Sequence, residues 1–476
     1  MSLSAQADSR PAAAFTPKEK QVVGGLIALF SLRMLGFYLV LPILSTYAES
    51  LPGSTSILVG LSVGIYGFTQ FIFQVPFGAW SDRWGRKPVL TVGLLLFALG
   101  SAICATASTA PILVVGRLVQ GMGVIASVVV AMLADLTRDV VRSRAMVAVG
   151  IAIGGSFSLG VLFGPSAAES ISVPSLFWLT AILTLCAIAY LWIRIPDAPR
   201  ISHHEDVEYS SEHLFEVLTN RQLLRLDFGT FNLHMSLTAI FVTVPFFLSR
   251  LIALGHQWRL FLPLLSVGMV VMLLGARLVE RPGGARRVAL IGQGLMVIGL
   301  AVLALAVPAS ALQPGAKLTL LTIGLLLFIV AFALLEPLFP ALLTRLCQQT
   351  NRGTAAGVFN MSQFSGAFVG GLISGFFLKS NVEALFWILA AAGALWWLSA
   401  LRLEDPEHLT VLELQLNGST REQQRLLVRR LLKIRGVEDV AWERNHKTLL
   451  VRYAAGKVDP EKLQSEALAV TISGSG

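Results

Sequence analysis

The chain has 476 residues, 55% hydrophobic and only 14% charged, with a mean hydropathy of +0.71. Soluble chains carry about 25% charged residues, so this composition excludes a water-soluble globular protein and implies an integral membrane protein. The net charge of +9 invites a nucleic-acid partner, but the basic residues sit in short connections between apolar runs, a pattern of membrane topology, and no nucleic acid is expected.

Cys104, Cys186 and Cys347 are far apart, in or beside apolar runs, so neither a disulfide framework nor a metal site is predicted. Residues 1–19 are polar and lack an apolar segment followed by a small-residue cleavage site, so the first span is expected to stay as an uncleaved anchor. With roughly 20 apolar residues per crossing, about twelve spans are read. They fall near 22–47, 56–80, 88–108, 111–136, 146–168, 174–194, 226–249, 258–279, 287–308, 315–342, 354–378 and 383–402.

Lys and Arg set the orientation. The tail (Arg10, Lys18, Lys20) and the connections with Arg83, Arg86 and Lys87, with Arg138, Arg142 and Arg144, with Arg281, Arg286 and Arg287, and with Arg345 and Arg352 fall on one side. Both termini are therefore predicted to be cytoplasmic. The chain divides into a tail (1–21), a six-helix half (22–195), a polar linker (196–222), a second six-helix half (223–403) and a small cytoplasmic domain (404–476). In that last domain, strands at Thr410–Leu416, Val437–Trp442, Thr448–Tyr453 and Val470–Ile472 alternate with helices at Arg421–Lys433 and Asp459–Ala469. The order βαββαβ is a ferredoxin-like α+β layout. Its first loop, Asn417-Gly-Ser-Thr, has no cysteine, so thiolate metal binding is not expected. Arg421, Arg425 and Arg429 make a basic stripe, read either as a solvated face or as a dock for anionic lipid or for the acidic linker.

Between the second and third spans lies Gly78-Ala-Trp-Ser-Asp82-Arg83-Trp-Gly85-Arg86-Lys87. An Asp, two Arg and a Lys are costly in hydrocarbon, so a tight loop at one membrane face is predicted. Gly275-Ala-Arg-Leu-Val-Glu280-Arg281, with Gly284 and Arg287, is a degenerate echo in the second half. This pattern resembles the signature loop of the major facilitator superfamily of secondary transporters. With the C-terminal appendage, the chain looks like that superfamily's proton-driven drug-efflux-type members. The resemblance implies an all-α bundle of 12 transmembrane helices in a bacterial inner membrane, acting as a monomer on a small-molecule substrate, with the lipid bilayer as its surroundings. It implies no cofactor other than protons as the coupling ion. It also implies a latch, in which Asp82 and Arg86 hold the halves together at the start of span 11, near Gly353 and Gly357, while Asp135 pairs with the arginines. The plainer alternative is that these charges only fix topology.

Arg117-Leu-Val-Gln120-Gly121-Met-Gly123 in span 4 resembles the motif of proton-coupled members. A guanidinium stays charged, so Arg117 is expected to tune a neighbouring acid, or merely to snorkel toward the far membrane face. Gly160-Val-Leu-Phe-Gly164-Pro165 in span 5 resembles the antiporter motif. Its proline kink is expected either to act as a pivot, with the glycines packing against the other half, or to serve packing alone. Ala168 and Glu169 stand where that motif usually has glycines, which weakens the implied exchange.

Arg33 in span 1 and Glu336 in span 10 are expensive in lipid and are expected to face an internal cavity. Glu336 is taken as the titrating group: desolvation favours its protonated form and an approaching Arg33 or Arg117 its ionised form. A static buried ion pair is the alternative. His234, of a residue type suited to proton transfer, is read as either a relay or a packing residue. Tyr38, Tyr66, Gln70, Gln120, Asn232, Asn360 and Gln363 are the candidate cavity lining.

The function expected is proton-coupled efflux of small lipophilic or cationic compounds by alternating access. A transporter-shaped receptor signalling through its cytoplasmic domain, and a symporter of a small solute, are the alternatives. No enzyme is expected: the chain has no His-Glu-x-x-His and no Walker loop.

Overall fold

A computed structural model of the chain describes residues 15–197, 211–279, 281, 283–307, 313–347, 351–404, 409–415, 421–434, 436–442, 448–454, 458–460 and 462–465. It divides into two units, Met1–Glu404 and Asp405–Gly476.

The first unit is all-helical. Its first span is α1 (Pro17–Val40), a single 3₁₀ turn at Leu41–Ile43, and α2 (Leu44–Ser50). Pro42 has no backbone N–H to give, which interrupts the α-helical ladder at that point. A capping box starts α1: the Thr16 side chain accepts from the Glu19 amide, and the Glu19 carboxylate accepts from the Thr16 amide. Glu19 also takes a forked pair of hydrogen bonds from the Arg138 guanidinium, at 2.8 and 2.9 Å, tying the start of span 1 to the end of span 4.

The remaining helices of the first half are α3 (Ser56–Trp84), α4 (Arg86–Ala105), α5 (Ala110–Met122), α6 (Ala126–Leu136), α7 (Asp139–Ile171) and α8 (Val173–Arg194). Span 4 is thus two helices, α5 and α6, broken at Gly123, where a continuous helix over 111–136 was expected. A short helix, α9 (Ser211–Thr219), lies inside the segment read as a polar linker; residues 198–210 of that segment lie outside the described residues.

The second half comprises α10 (Arg221–Leu248), α11 (Trp258–Val279), α12 (Gly284–Ala306), α13 (Pro314–Leu346), α14 (Arg352–Phe377) and α15 (Val382–Ala400). Among the described residues, eleven spans are long and apolar enough to cross a membrane. The remaining expected span, the eleventh in chain order, is α14, a helix of 26 residues that carries Asn360, Ser362, Gln363, Ser365 and a series of glycines. It packs between α3 and α10, so its polar and small residues meet protein rather than lipid.

The halves join along glycine faces. A Cβ on Gly60 would strike the Gly371 carbonyl, one on Gly64 would lie 2.9 Å from the Phe368 carbonyl, and one on Gly67 2.7 Å from that of Phe364. α14 meets α10 in the same way, Gly366 against Phe231 and Gly370 against Met235.

The second unit contains β1 (Leu409–Gln415), α16 (Arg421–Leu431), β2 (Val437–Trp442) and β3 (Thr448–Ala454). Its antiparallel sheet has the order β1-β3-β2, with Leu412 opposite Val451 and Val440 opposite the same residue from the other side. Leu427 and Leu431 of α16 share its core with Leu414, Val440 and Leu449. The expected strand at 470–472 and the side chains of Arg421 and Arg425 lie outside the described residues.

Candidate functional site

The Gly78–Lys87 segment is almost entirely helical. α3 runs to Trp84, and one residue, Gly85 at φ +97°, reverses the chain into α4. An L side chain rarely adopts that conformation, so glycine is required there and not at Gly78, which lies within α3 with open space around it. The second half does the same at Gly283, φ +72°, so the echo marks an equivalent turn. Arg86 is the hub: Nε donates to Asp135 Oδ2 at 2.8 Å, and Nη1 donates to Ser81 Oγ at 2.7 Å and to Asp82. Arg83 is exposed, and so is the Asp82 side chain, at 56%. Gly353 has nothing near it, and Gly357 is half-buried. The arginine–Asp135 pairing is therefore present, while Asp82 bonds only within its own half.

The hydrogen bonds and ion pair that join the halves among the described residues lie on the far side from this turn. They are Ser45 Oγ to the Phe241 carbonyl (3.2 Å), Ser166 Oγ to the Gly255 carbonyl (3.4 Å) and Lys379 to Glu49 (3.5 Å). The halves meet on that side, and among the described residues Asp82 makes no contact with the second half.

Inside the first half the break in span 4 organises a polar core. Helix interruption frees carbonyls, and in a dry interior each needs a donor. Gln70 Nε2 donates to the Gly121 carbonyl at 2.8 Å and Arg33 Nη2 to that of Gly123 at 3.2 Å; Arg33 also donates to the Tyr66 phenol oxygen. Arg117 Nε donates to the Ser62 carbonyl at 3.0 Å and Nη1 to Gln120, whose amide passes a bond to Ser101 at 2.8 Å. The Arg33 guanidinium lies 4.8 Å from the Phe97 ring centre; that of Arg117 lies 5.1 Å from Phe37 and 5.0 Å from Tyr66. Arg33 and Arg117 are 3% and 1% exposed, so Arg117 does not snorkel and Arg33 does not face a cavity. Both are built into the half, and neither has a carboxylate partner among the described residues.

Glu336 is placed differently. On α13 it lies one turn beyond Phe332, which stacks on Phe157 of the first half with centroids 5.8 Å apart. That face of α13 therefore points at the seam between the halves. The Glu336 side chain is 37% exposed and sits 3.5 Å from His234 Nε2. The same ring nitrogen is 2.9 Å from Gln363 Nε2, and Nδ1 is 3.0 Å from the Thr230 carbonyl. The structure thus joins Glu336 to His234 and Gln363, not to Arg33 or Arg117 as anticipated. Tyr38 lies between, within electrostatic reach of both Arg33 and Glu336. On the far side the aromatic seam closes over an apolar cavity of about 60 Å³, lined from both halves by Pro42, Phe157, Leu237, Phe241, Phe261 and Phe332.

Of the expected lining, Tyr38, Asn360 and Gln363 are half-buried. Tyr66, Gln70 and Gln120 are instead consumed in the core of the first half, and Asn232 is fully buried in the second beside Gly393 and Gln293. The pivot motif is also reassigned: a Cβ on Gly160 would strike Tyr38 and one on Gly164 the Leu39 carbonyl, so both pack on α1 of their own half. The residue missed outright is Asp227 in α10, 6% exposed, which stands at the very edge of the apolar run 226–249.

The family model described as the Major Facilitator Superfamily matches residues 26–292 and 264–455. The chain belongs to the major facilitator superfamily. It is therefore an integral membrane transporter. The "Inner membrane transport protein YajR" of Escherichia coli (strain K12) is 34% identical over 430 residues, covering 89% of this chain and 92% of that protein. The "Tetracycline resistance protein, class E" of Escherichia coli is 32% identical over 162 residues, covering 33% of this chain and 40% of its own. Among solved structures, a bacterial homolog of the human lysosomal transporter Spinster, titled inward-facing and unoccupied, superposes with TM-score 0.66 at 14% identity, covering 83% of this chain and 99% of that one. That last likeness concerns the fold. These relatives are transporters, and the chain is not an enzyme.

Proposed function

We propose that this transporter couples proton movement to export of small lipophilic or cationic compounds across an inner membrane. Glu336 is the proton carrier and His234 its immediate partner. The observation that carries the reading is the placement of Glu336, half-exposed on the face of α13 that meets the other half and touching an imidazole. Such a carboxyl can exchange a proton with the seam in one arrangement of the halves and be sealed from it in the other. The basic turns put the Gly78–Lys87 side and both termini in the cytoplasm. This conformation is then open to the cytoplasm, and the Asp82–Arg86 latch closes on the start of α14 in the other. The largely aromatic seam suits apolar or cationic compounds, and a relative named for tetracycline resistance favours a drug-like substrate. The sheet order β1-β3-β2 supports a ferredoxin-like C-terminal domain.

The test is proton flux in proteoliposomes carrying an internal pH dye, with ethidium as the probe. The unaltered protein is expected to move protons when ethidium is added, and Glu336→Gln to lose this by about a hundredfold or more. Equal flux in the two proteins would overturn the assignment of Glu336.

A further inference from the structure

Asp227 takes no part in the arrangement around Glu336, yet it is the more deeply buried carboxylate. It lies six residues beyond the start of α10, about 9 Å along the helix at 1.5 Å per residue. Neither of its carboxyl oxygens has a hydrogen-bond partner among the described residues. Leu223 and Leu226 beside it, with Ala355 and Phe359 of α14, belong to one apolar core.

The charged groups on the elements packed against α10 are engaged elsewhere or turned outward. Arg225 Nη1 donates to the Arg402 carbonyl at 3.0 Å, Glu216 of α9 accepts from Asn351 at 2.5 Å, and Asp82 of α3 is held by Arg86. Glu336 of α13 meets His234, Glu49 of α2 meets Lys379, and Glu383 of α15 accepts from the Trp387 indole. Arg221, Arg83 and Arg345 are exposed, and the Arg352 side chain lies outside the described residues.

An ionised carboxylate without donor or cation in such surroundings costs several kcal/mol, whereas its neutral acid costs far less. Asp227 also shares one face of α10 with Thr230 at i+3 and His234 at i+7. Thr230 Oγ1 is 3.5 Å from His234 Nδ1, and His234 Nε2 is 3.5 Å from Glu336. We propose that Asp227 is a second proton carrier, holding a proton in this conformation and delivering it along Thr230 and His234 to Glu336. This rests on the reading of Glu336 as the coupling carboxylate.

The transfer balances simply. In the geometry seen here His234 holds its proton on Nδ1 toward the Thr230 carbonyl, so the ring first shifts to the Nε2–H tautomer. Asp227 then gives its carboxyl proton to Thr230 Oγ1, whose own proton passes to Nδ1, while Nε2 gives its proton to the Glu336 carboxylate, leaving His234 again in the Nδ1–H form. The result is an Asp227 carboxylate in place of a Glu336 carboxylate. In the apolar setting described here that product is unfavourable, so transfer completes only when the surroundings of Asp227 become hydrated. Proton movement is thereby tied to rearrangement of α10 against α14.

Infrared spectroscopy of the full chain in phosphatidylethanolamine–phosphatidylglycerol vesicles, with and without ¹³C-labelled aspartate, tests this without any substrate. Near neutral pH the unaltered protein is expected to show a protonated-carboxyl carbonyl band that shifts on aspartate labelling. The band should vanish in Asp227→Asn and survive in Glu336→Gln. Absence of a label-sensitive band, or its persistence in Asp227→Asn, overturns the proposal; the labelled unaltered protein decides even where the variant fails to fold. In the ethidium assay Asp227→Asn should slow proton flux about tenfold while ethidium binding is unchanged. Unchanged flux would overturn the relay. Intact flux in Glu336→Gln would instead overturn the reading on which it rests, leaving the infrared result for Asp227 to stand on its own.

Discussion

The two halves share an architecture but hold their intramembrane charge in opposite ways. In the first half Arg33 and Arg117 are sealed and covered by aromatic faces, Arg33 bonded to the Gly123 carbonyl at the break in span 4 and Arg117 to the Ser62 carbonyl of α3. Their charge is permanent. In the second half the ionisable groups are of types that gain and lose protons, one of them half-exposed at the seam and the other buried without a partner. One half is thus a fixed positive framework, and under the proposed function the other carries the charge that changes. In an alternating-access machine the fixed field can bias a titrating group only when the halves are suitably arranged.

The sharpest way to break this contrast is to damage the fixed side without changing its charge. Arg33→Lys keeps the cation but loses the planar fork, so the Gly123 carbonyl or the Tyr66 oxygen is left without its donor. A buried polar group left unpaired costs about 1–3 kcal/mol, which should appear as a lower melting temperature in detergent. Glu336→Gln, at a half-exposed site, should change stability by less than about 1 kcal/mol. Equal losses in the two variants would mean that the halves do not differ in this respect.

Next in size is His234→Gln. It keeps a hydrogen-bonding side chain between Thr230 and Glu336 but cannot gain and lose a proton. Ethidium-driven proton flux should fall about tenfold with little change in melting temperature. A large stability loss with proportionate loss of flux would return His234 to the packing role that a lone membrane histidine often has.

Much of this was legible in the chain itself. Apolar runs and basic turns located the spans because backbone bonding and charge burial leave few alternatives in a bilayer. Arg86 with Asp135 came from the resemblance of the Gly78–Lys87 segment to the superfamily's signature loop, and the pair is present. What could not be read was direction. Arg33 and Glu336 were both costly in lipid, but only the break at Gly123 shows that Arg33 turns into its own half. Tyr66, Gln70 and Gln120 looked like cavity lining for the same reason: polarity within a span reveals a need for a partner, not where the partner lies. Asp227 was passed over because its position near a helix end suggested an interfacial group, whereas tertiary packing by α14 buries it. α14, read as the span 354–378, is the most polar of the spans because its polar face is turned to protein.

The smallest expected effect concerns the latch, and it sharpens the comparison because it joins the two halves rather than separating them. Asp82 is 56% exposed and bonds only to Arg86 and not across to the second half, so this conformation gains little from it. An exposed ion pair contributes about 0–1 kcal/mol. If the carboxylate meets the amides at the start of α14 in the alternate conformation, it stabilises that state alone, by a similar amount, through the helix N-terminus. Asp82→Asn should then shift the equilibrium toward the conformation described here by about fivefold at most. Spin labels placed across the turn side of the two halves would register this as growth of the long-distance population. An unchanged distribution would mean that Asp82 serves only to fix topology, and the halves would then have to be held on that side by apolar packing.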